Sequence, residues 1–249
     1  MELFRLSEQN RWWEDDRAFS EDPHIKTLNN SPVKIVHPLE NQIRLDDDRI
    51  YILRGPRQVG KTTLLKKLIK AWVDQGTAPS RTVYFAFDTG GMRDDRDVLD
   101  ILKTYLTWAR SRTQGRLWVF LDEVTYTPNW STGIKAAFDL NLLNNVSVIA
   151  TGSSSLDSRR GGERLPGRRG EKPEENDLTM LPLSFRSFLK SVSPEVDIPA
   201  FGSLTPEDKK WLKRVGGGIL LSQDGLEYDS GANIVTVPAS YFLAGLSEI

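Results

Sequence analysis

Arg49-Ile50-Tyr51-Ile52-Leu53-Arg54-Gly55-Pro56-Arg57-Gln58-Val59-Gly60-Lys61-Thr62-Thr63-Leu64-Leu65 joins a short apolar strand, a glycine-bounded loop and the start of a helix. The spacing of Gly55, Gly60, Lys61 and Thr62 satisfies G-x-x-x-x-G-K-[ST], the phosphate-binding loop. Its glycines let backbone N–H groups turn inward around a phosphate, with no Cβ in the way. The helix that follows offers free N–H groups and a dipole that favour the same negative charge. The β-branched run before the loop, and Leu64, Leu65, Leu68 and Ile69 at helical spacing after it, supply the context that a chance glycine turn lacks. The expected nucleotide contacts are Gly55, Pro56, Arg57, Gln58, Val59, Gly60, Lys61, Thr62 and Thr63. Lys61 reaches the outer phosphates as a point charge, and the Thr62 hydroxyl is a ligand for Mg²⁺.

Working outward, β-branched and aromatic residues at Arg81–Asp88 predict a second strand, and Val98, Ile101, Leu102, Tyr105 and Leu106 a helix over 97–110. Leu117-Trp118-Val119-Phe120-Leu121-Asp122-Glu123 is an unbroken apolar run ending on two carboxylates, which suits a parallel strand covered on both faces. A helix over 129–143, a buried strand over 146–153, a strand over 178–183 and a short helix over 185–189 complete the pattern. Alternating strands and helices predict an α/β fold, a three-layer P-loop domain with a parallel five-stranded sheet over residues 48–192. Residues 1–47 read as an N-terminal arm in which Trp12 and Trp13 pack onto that domain, with Asp22-Pro23 and Ser31-Pro32 as turns. Val33 to Pro38 could alternatively flank the adenine, and His37 reads as a surface or packing residue. Residues 193–249 form a small C-terminal appendage with a helix over 207–215 and short strands near 219–221, 226–228 and 233–237. The chain stops without an obvious stop element, as a piece of something longer would.

Bulk properties narrow the function. With 33 basic against 34 acidic residues in 249, no global field draws the chain to nucleic acid or membrane. There is no cysteine, which excludes disulfides, thiolate zinc sites and cysteine nucleophiles, and two histidines leave little for a histidine metal site. The first residues lack a signal-peptide layout and no apolar run approaches membrane-spanning length, so a cytoplasmic, soluble protein is expected.

The chemistry gathers around the loop. Asp122, ending a buried strand at the carboxyl edge of a parallel sheet, is where a second Mg²⁺-directed group belongs. Glu123 beside it can polarise a water for in-line attack on the terminal phosphate. Ser153 is the preferred hydroxyl for the terminal phosphate, with Thr151 the alternative, and either could instead cap the following turn. Arg159, Arg160, Arg164, Arg168 and Arg169 lie among glycines in the next loop. They fit a solvated loop, a nucleic-acid phosphate contact, or, at Arg168, an arginine finger acting in cis or from a neighbouring subunit.

The phosphate loop, Phe120-Leu121-Asp122-Glu123-Val124 with Trp130, Thr151-Gly152-Ser153-Ser154-Ser155, Glu163-Arg164-Leu165-Pro166-Gly167-Arg168 and Leu181-Pro182-Leu183-Ser184-Phe185-Arg186-Ser187-Phe188-Leu189 occur in order. As a set, over about residues 30–192, they resemble a prokaryotic family of AAA-type P-loop ATPases whose members mostly carry an uncharacterised C-terminal region. The resemblance implies the ATPase sheet order with an additional catalytic glutamate, and the roles above for Lys61, Thr62, Asp122 and Glu123. It also implies a winged-helix or nuclease-like continuation, of which only a short tail is visible. The expected activity is Mg²⁺-dependent ATP hydrolysis driving a conformational or assembly change. A nucleotide-gated DNA-binding module with slow hydrolysis is the alternative, and a small-molecule kinase a weaker one, for want of an acceptor-pocket signature. A homo-oligomer and a DNA or protein partner are the open partner classes.

Overall fold

Residues 3–15, 17–31, 36–44, 46–89, 95–153, 176–183 and 191 are described by the computed structural model, together with the backbone of 218–222, 227–229 and 234–238. They divide into two units, Met1–Ser31 with Leu39–Met180, and Pro32–Pro38 with Leu181–Ile249.

The first unit is built on five parallel strands: β1 (Ile50–Arg54), β2 (Thr82–Ala86), β3 (Leu117–Asp122), β4 (Val146–Gly152) and β5 (Asp177–Thr179). Their order across the sheet is β2-β3-β4-β1-β5. The crossovers carry α4 (Lys61–Asp74), α5 (Asp95–Arg112) and α6 (Trp130–Asp139), and α1 (Leu3–Gln9), α2 (Ala18–Glu21) and α3 (Pro23–Asn30) precede the sheet. Strand periodicity sorts the core into two layers. Ile50, Ile52, Val83, Phe85, Val119, Leu121, Val148 and Ala150 face α5 and α6, packing with Val98, Ile101, Leu102, Tyr105, Trp130 and Ile134. Their neighbours Tyr51, Leu53, Tyr84, Phe120 and Ile149 face the other way, onto Leu64, Leu65 and Ile69 of α4. Each fully buried Leu or Ile contributes about 1.5–3 kcal/mol, so the apolar face of α4 alone fixes that helix, and with it the loop in front of it.

Residues before the sheet are helical and tightly docked. β2 lies at an end of the sheet, and its outward groups at alternate positions are met by side chains. Ala86 N donates to Gln9 Oε1 (2.7 Å) and Tyr84 N to Asn10 Oδ1 (2.6 Å). Asn10 Nδ2 donates back to Tyr84 O (2.8 Å), and Trp13 Nε1 to Thr82 O (2.8 Å). Trp12 Nε1 reaches Thr82 Oγ1 (3.1 Å), while its ring stacks on Phe19 at 5.0 Å. An open strand edge invites pairing with another chain; here side chains occupy it.

Apart from shifts of one or two residues at other ends, three features differ from expectation. α6 ends at Asp139 rather than 143 because Asn141 takes the left-handed conformation (φ 56°), with its N–H on Phe138 O and Leu142 N on Ala137 O. That double bond is a helix-terminating motif for which asparagine is suited. β5 stops at Thr179, not 183; Met180 N still donates to Arg54 O (2.6 Å), but Pro182 has no N–H to extend a ladder. Asp22-Pro23 is a helix start rather than a turn: Asp22 Oδ1 accepts from His24 N and Ile25 N, and Pro23 occupies the first position of α3.

In the second unit, β6 (Gly218–Ser222), β7 (Glu227–Asp229) and β8 (Ile234–Pro238) form a sheet of order β6-β8-β7. β6 runs parallel to β8, and β7 antiparallel to it. His37 Nε2 lies 3.3 Å from Leu181 O, a packing contact. The expected helices over 185–189 and 207–215 and the arginine-rich loop lie outside the described residues. No described helix is long and apolar enough to cross a membrane.

Candidate active site

β1 delivers Gly55 into a gap with no room for a side chain: a Cβ there would lie 2.2 Å from the Met180 carbonyl oxygen. The loop then turns through two left-handed residues, Gln58 (φ 66°) and Gly60 (φ 101°), before α4 begins at Lys61. Only glycine adopts such a φ without strain, which accounts for Gly60; Gln58 holds it at a cost of about 1–2 kcal/mol. The Lys61 side chain, 4% exposed, folds back over the loop. Its Nζ donates to Gly55 O (3.0 Å) and Pro56 O (2.9 Å) and lies 3.3 Å from Glu123 Oε1. An ammonium has three protons, and these contacts use all of them.

At the end of β3, Asp122 is 2% exposed and held by three hydroxyls. Thr62 Oγ1 donates to its Oδ2 (2.6 Å), as does Tyr84 OH (2.8 Å), and Thr151 Oγ1 donates to Oδ1. Parallel registry brings Tyr84 and Thr151 there, since β2 and β4 flank β3 on its two sides, and α4 brings Thr62. Burial, with the Asp122 charge second, pushes the Tyr84 phenol far above the ordinary tyrosine range, so it stays a protonated donor.

Glu123 adopts a left-handed backbone (φ 52°), uncommon for a residue with a side chain and frequent where a turn aims a functional group. Its N–H donates to Thr151 Oγ1 (2.9 Å). Its Oε2 accepts from Ser153 N (3.1 Å), while Oε1 faces Lys61. The carboxylate is thereby turned onto the phosphate loop.

The residues fit a nucleotide and its metal. Thr62 and Asp122 present hard oxygens at one point, the donor type that Mg²⁺ takes. Gly60 leaves the loop open, a Cβ there meeting nothing nearer than Met180 Cε at 3.6 Å. A cavity of about 460 Å³ reaches Thr62 and Asp122 and is walled by Lys66, Tyr84, Trp12 and Asp22. Asp22 and Lys66, both in its wall, form an ion pair. Among the described residues there is no group of three or more His, Cys, Asp or Glu side chains that could hold a metal by itself.

Lys61, Thr62, Asp122, Glu123 and Ser153 are therefore neighbours, Ser153 through its backbone N–H rather than its hydroxyl. Pro56, Arg57 and Gln58 form the exposed crest of the loop. Arg168 lies outside the described residues. Sequence reasoning missed Tyr84 and the double role of Thr151. Tyr84 sits in a run of strand formers and looks like core; only its polar tip, one strand away from Asp122, could have given it away.

A family model described as an AAA domain matches residues 47–189. An uncharacterised protein of Methanocaldococcus jannaschii is 30% identical over 152 residues, covering 61% of this chain and 30% of its own length. An uncharacterised protein of Haemophilus influenzae is 25% identical over 167 residues, 67% of this chain and 39% of its own length. The chain thus spans well under half the length of these curated relatives. The solved structure of C. elegans PCH-2 is similar at 18% identity, covering 64% of this chain and 44% of that one, with a TM-score of 0.33.

Proposed function

The chain belongs to the AAA domain family, a family of P-loop ATPases, and from that premise we propose that it binds ATP with Mg²⁺ and hydrolyses the γ-phosphate to drive a conformational or assembly change. The observation that carries this reading is the convergence on the phosphate loop of Asp122, fixed by three hydroxyls, and Glu123, fixed by a strained turn.

Lys61 and the loop amides hold the phosphates. The ammonium is satisfied by two loop carbonyls and Glu123, so a phosphate must compete with them for it. Winning that competition frees the Glu123 carboxylate, which then accepts a proton from the attacking water. Thr62 and Asp122 would hold Mg²⁺, which when bound supplies charge neutralisation between the outer phosphates. The Ser153 N–H keeps Glu123 aimed, and its hydroxyl is the candidate contact for the terminal phosphate. Arg168, as a finger in cis or from a neighbouring copy, is the alternative source of positive charge at the terminal phosphate, and a rate that falls on dilution would favour the neighbouring copy.

The test combines equilibrium binding of a fluorescent ATP analogue with steady-state phosphate release, with and without duplex DNA. Lys61→Ala is expected to abolish binding. Glu123→Gln is expected to keep binding within about threefold and lose at least about 10²-fold in turnover, the usual weight of a general base. Normal turnover in Glu123→Gln would remove the catalytic assignment. Turnover that appears only with duplex DNA would favour the nucleotide-gated DNA-binding module instead.

A further inference from the structure

We propose that Arg57 is a catalytic arginine supplied by the same chain, touching the γ-phosphate in the transition state, and that Tyr126 is the residue that positions it. This rests on the ATPase reading above.

Arg57 is the third residue of the phosphate loop and is exposed. Its Nη2 donates to the Tyr126 hydroxyl at 3.0 Å. Tyr126 closes the 3₁₀ turn Val124–Tyr126, which follows Glu123 directly, and its own N–H donates to Glu123 O at 3.1 Å. The guanidinium is therefore tied to the turn that carries the water-directed carboxylate. That is the Asp122 and Glu123 side of the loop, where the terminal phosphate belongs.

The choice of partner is informative. Lys61, Lys66, Arg49, Arg54 and Arg116 each face a carboxylate. Among the described residues Arg57 makes no ion pair, and a neutral phenol holds it. A phenol fixes direction without neutralising charge, leaving the positive charge and most of the five N–H donors for an arriving anion. Arg81 and Arg110, by contrast, spend their N–H groups on the backbone carbonyls that they brace.

The step balances as follows. The water oxygen forms a bond to γ-phosphorus as the bond from γ-phosphorus to the bridging oxygen breaks. The electron pair of that bond stays on the β-phosphate of ADP, and the water proton passes to Glu123. Negative charge grows on the bridging oxygen and is spread over the γ-oxygens, and a planar fork can bind both at once. Preorganised charge of this kind acts on the transition state more than on bound ATP.

The experiment uses the full chain and compares wild type with Arg57→Ala, Arg57→Lys and Tyr126→Phe. Three quantities are read: ATP affinity with a fluorescent analogue, kcat, and affinity for ADP–aluminium fluoride, a mimic of the transition state. Arg57→Ala is expected to leave ATP affinity within about threefold, lower kcat about 10³-fold and abolish the preference for the fluoride complex. Arg57→Lys is expected to recover little of this, because an ammonium lacks the fork. Tyr126→Phe is expected to lower kcat about tenfold with ATP affinity unchanged. Wild-type turnover per chain should hold on dilution, as a charge supplied in cis requires.

Unchanged kcat and fluoride-complex affinity in Arg57→Ala would overturn the proposal. So would parallel loss of ATP affinity and kcat/KM, which makes Arg57 a ground-state phosphate ligand. A rate that falls on dilution, with Arg57→Ala inert, hands the role to a neighbour's arginine. Wild-type protein that binds ATP and never turns it over sinks the hydrolytic reading and this one together, whereas the other failures leave that reading standing.

Discussion

At the scale of single residues, the site is a set of hydroxyls holding one carboxylate. Asp122 accepts from Thr62, Tyr84 and Thr151, and in the metal-bound state proposed above only Thr62 would leave it. Tyr84 and Thr151 thus set where the carboxylate stands while that exchange takes place. Such outer partners typically change metal affinity by 10–100-fold when removed. Tyr84→Phe keeps the ring and its burial and deletes the hydroxyl. We expect it to raise the Mg²⁺ concentration for half-maximal turnover about tenfold, with metal-free ATP binding unchanged. A Mg²⁺ titration, or Mn²⁺ binding followed by electron paramagnetic resonance, reads this. Unchanged metal dependence would mean that Thr62 and Thr151 suffice to place Asp122.

At the scale of elements, the arm and β2 form one piece. Asn10 is fully buried and gives its amide oxygen to Tyr84 N and its amide nitrogen to Tyr84 O and Leu6 O. Asn10→Ala leaves two backbone groups of an end strand without partners. The expected cost is about 2–6 kcal/mol, at 1–3 for each group left unmade, measured as a drop in the midpoint of urea unfolding. Asn10→Asp, which keeps the acceptor and loses the donor, should fall between. A midpoint unchanged in both would show that water replaces these bonds.

The arm also marks where sequence reading succeeds and where it stops. Strands β1 to β4 were legible because period-2 or unbroken apolar runs end at turn residues, and β1 and β3 also end at the glycine and carboxylate to which the proposal assigns the chemistry. Trp12 and Trp13 could be assigned to packing, but not to strand capping, since nothing local says that an indole N–H will meet a backbone carbonyl 69 residues away. Asp22-Pro23 carries the same letters as a turn and as a helix start, and only the apolar Ile25 inside α3 decides between them. Within the site, Lys61, Thr62, Asp122 and Glu123 follow from spacing. Tyr84 does not, because its function comes from strand neighbours and not from its own segment.

At the scale of the whole molecule, the first unit buries titratable groups that need to stay neutral. Tyr105 on α5 lies inside the core, its hydroxyl donating to Ser80 O at 3.2 Å, and burial raises its pKa well above the ordinary value of 10.0. In the unfolded chain it ionises near that ordinary value, while in the fold it remains protonated. The folded state therefore binds the extra proton, and stability is full below about pH 10 and falls as pH rises beyond it. Tyr84 acts in the same direction. Tyr105→Phe is expected to flatten the alkaline loss of unfolding free energy between about pH 10 and 11, as measured by urea unfolding at each pH. An identical slope in wild type and variant would assign the loss to other groups.

The capped edge of β2 has a bearing on how the chain comes to be folded in time. Asn10 is synthesised 74 residues before Tyr84, the residue whose N–H and C=O it must meet. At a synthesis rate of about 5–20 residues per second, the arm waits roughly 4–15 s for its strand to be made, and longer for β3 to stand beside it. During that interval Leu6, Trp12 and Phe19 have no core to enter. The arm is thus a segment that settles only after later ones have been made, and its side chains close the edge of a sheet that others have built.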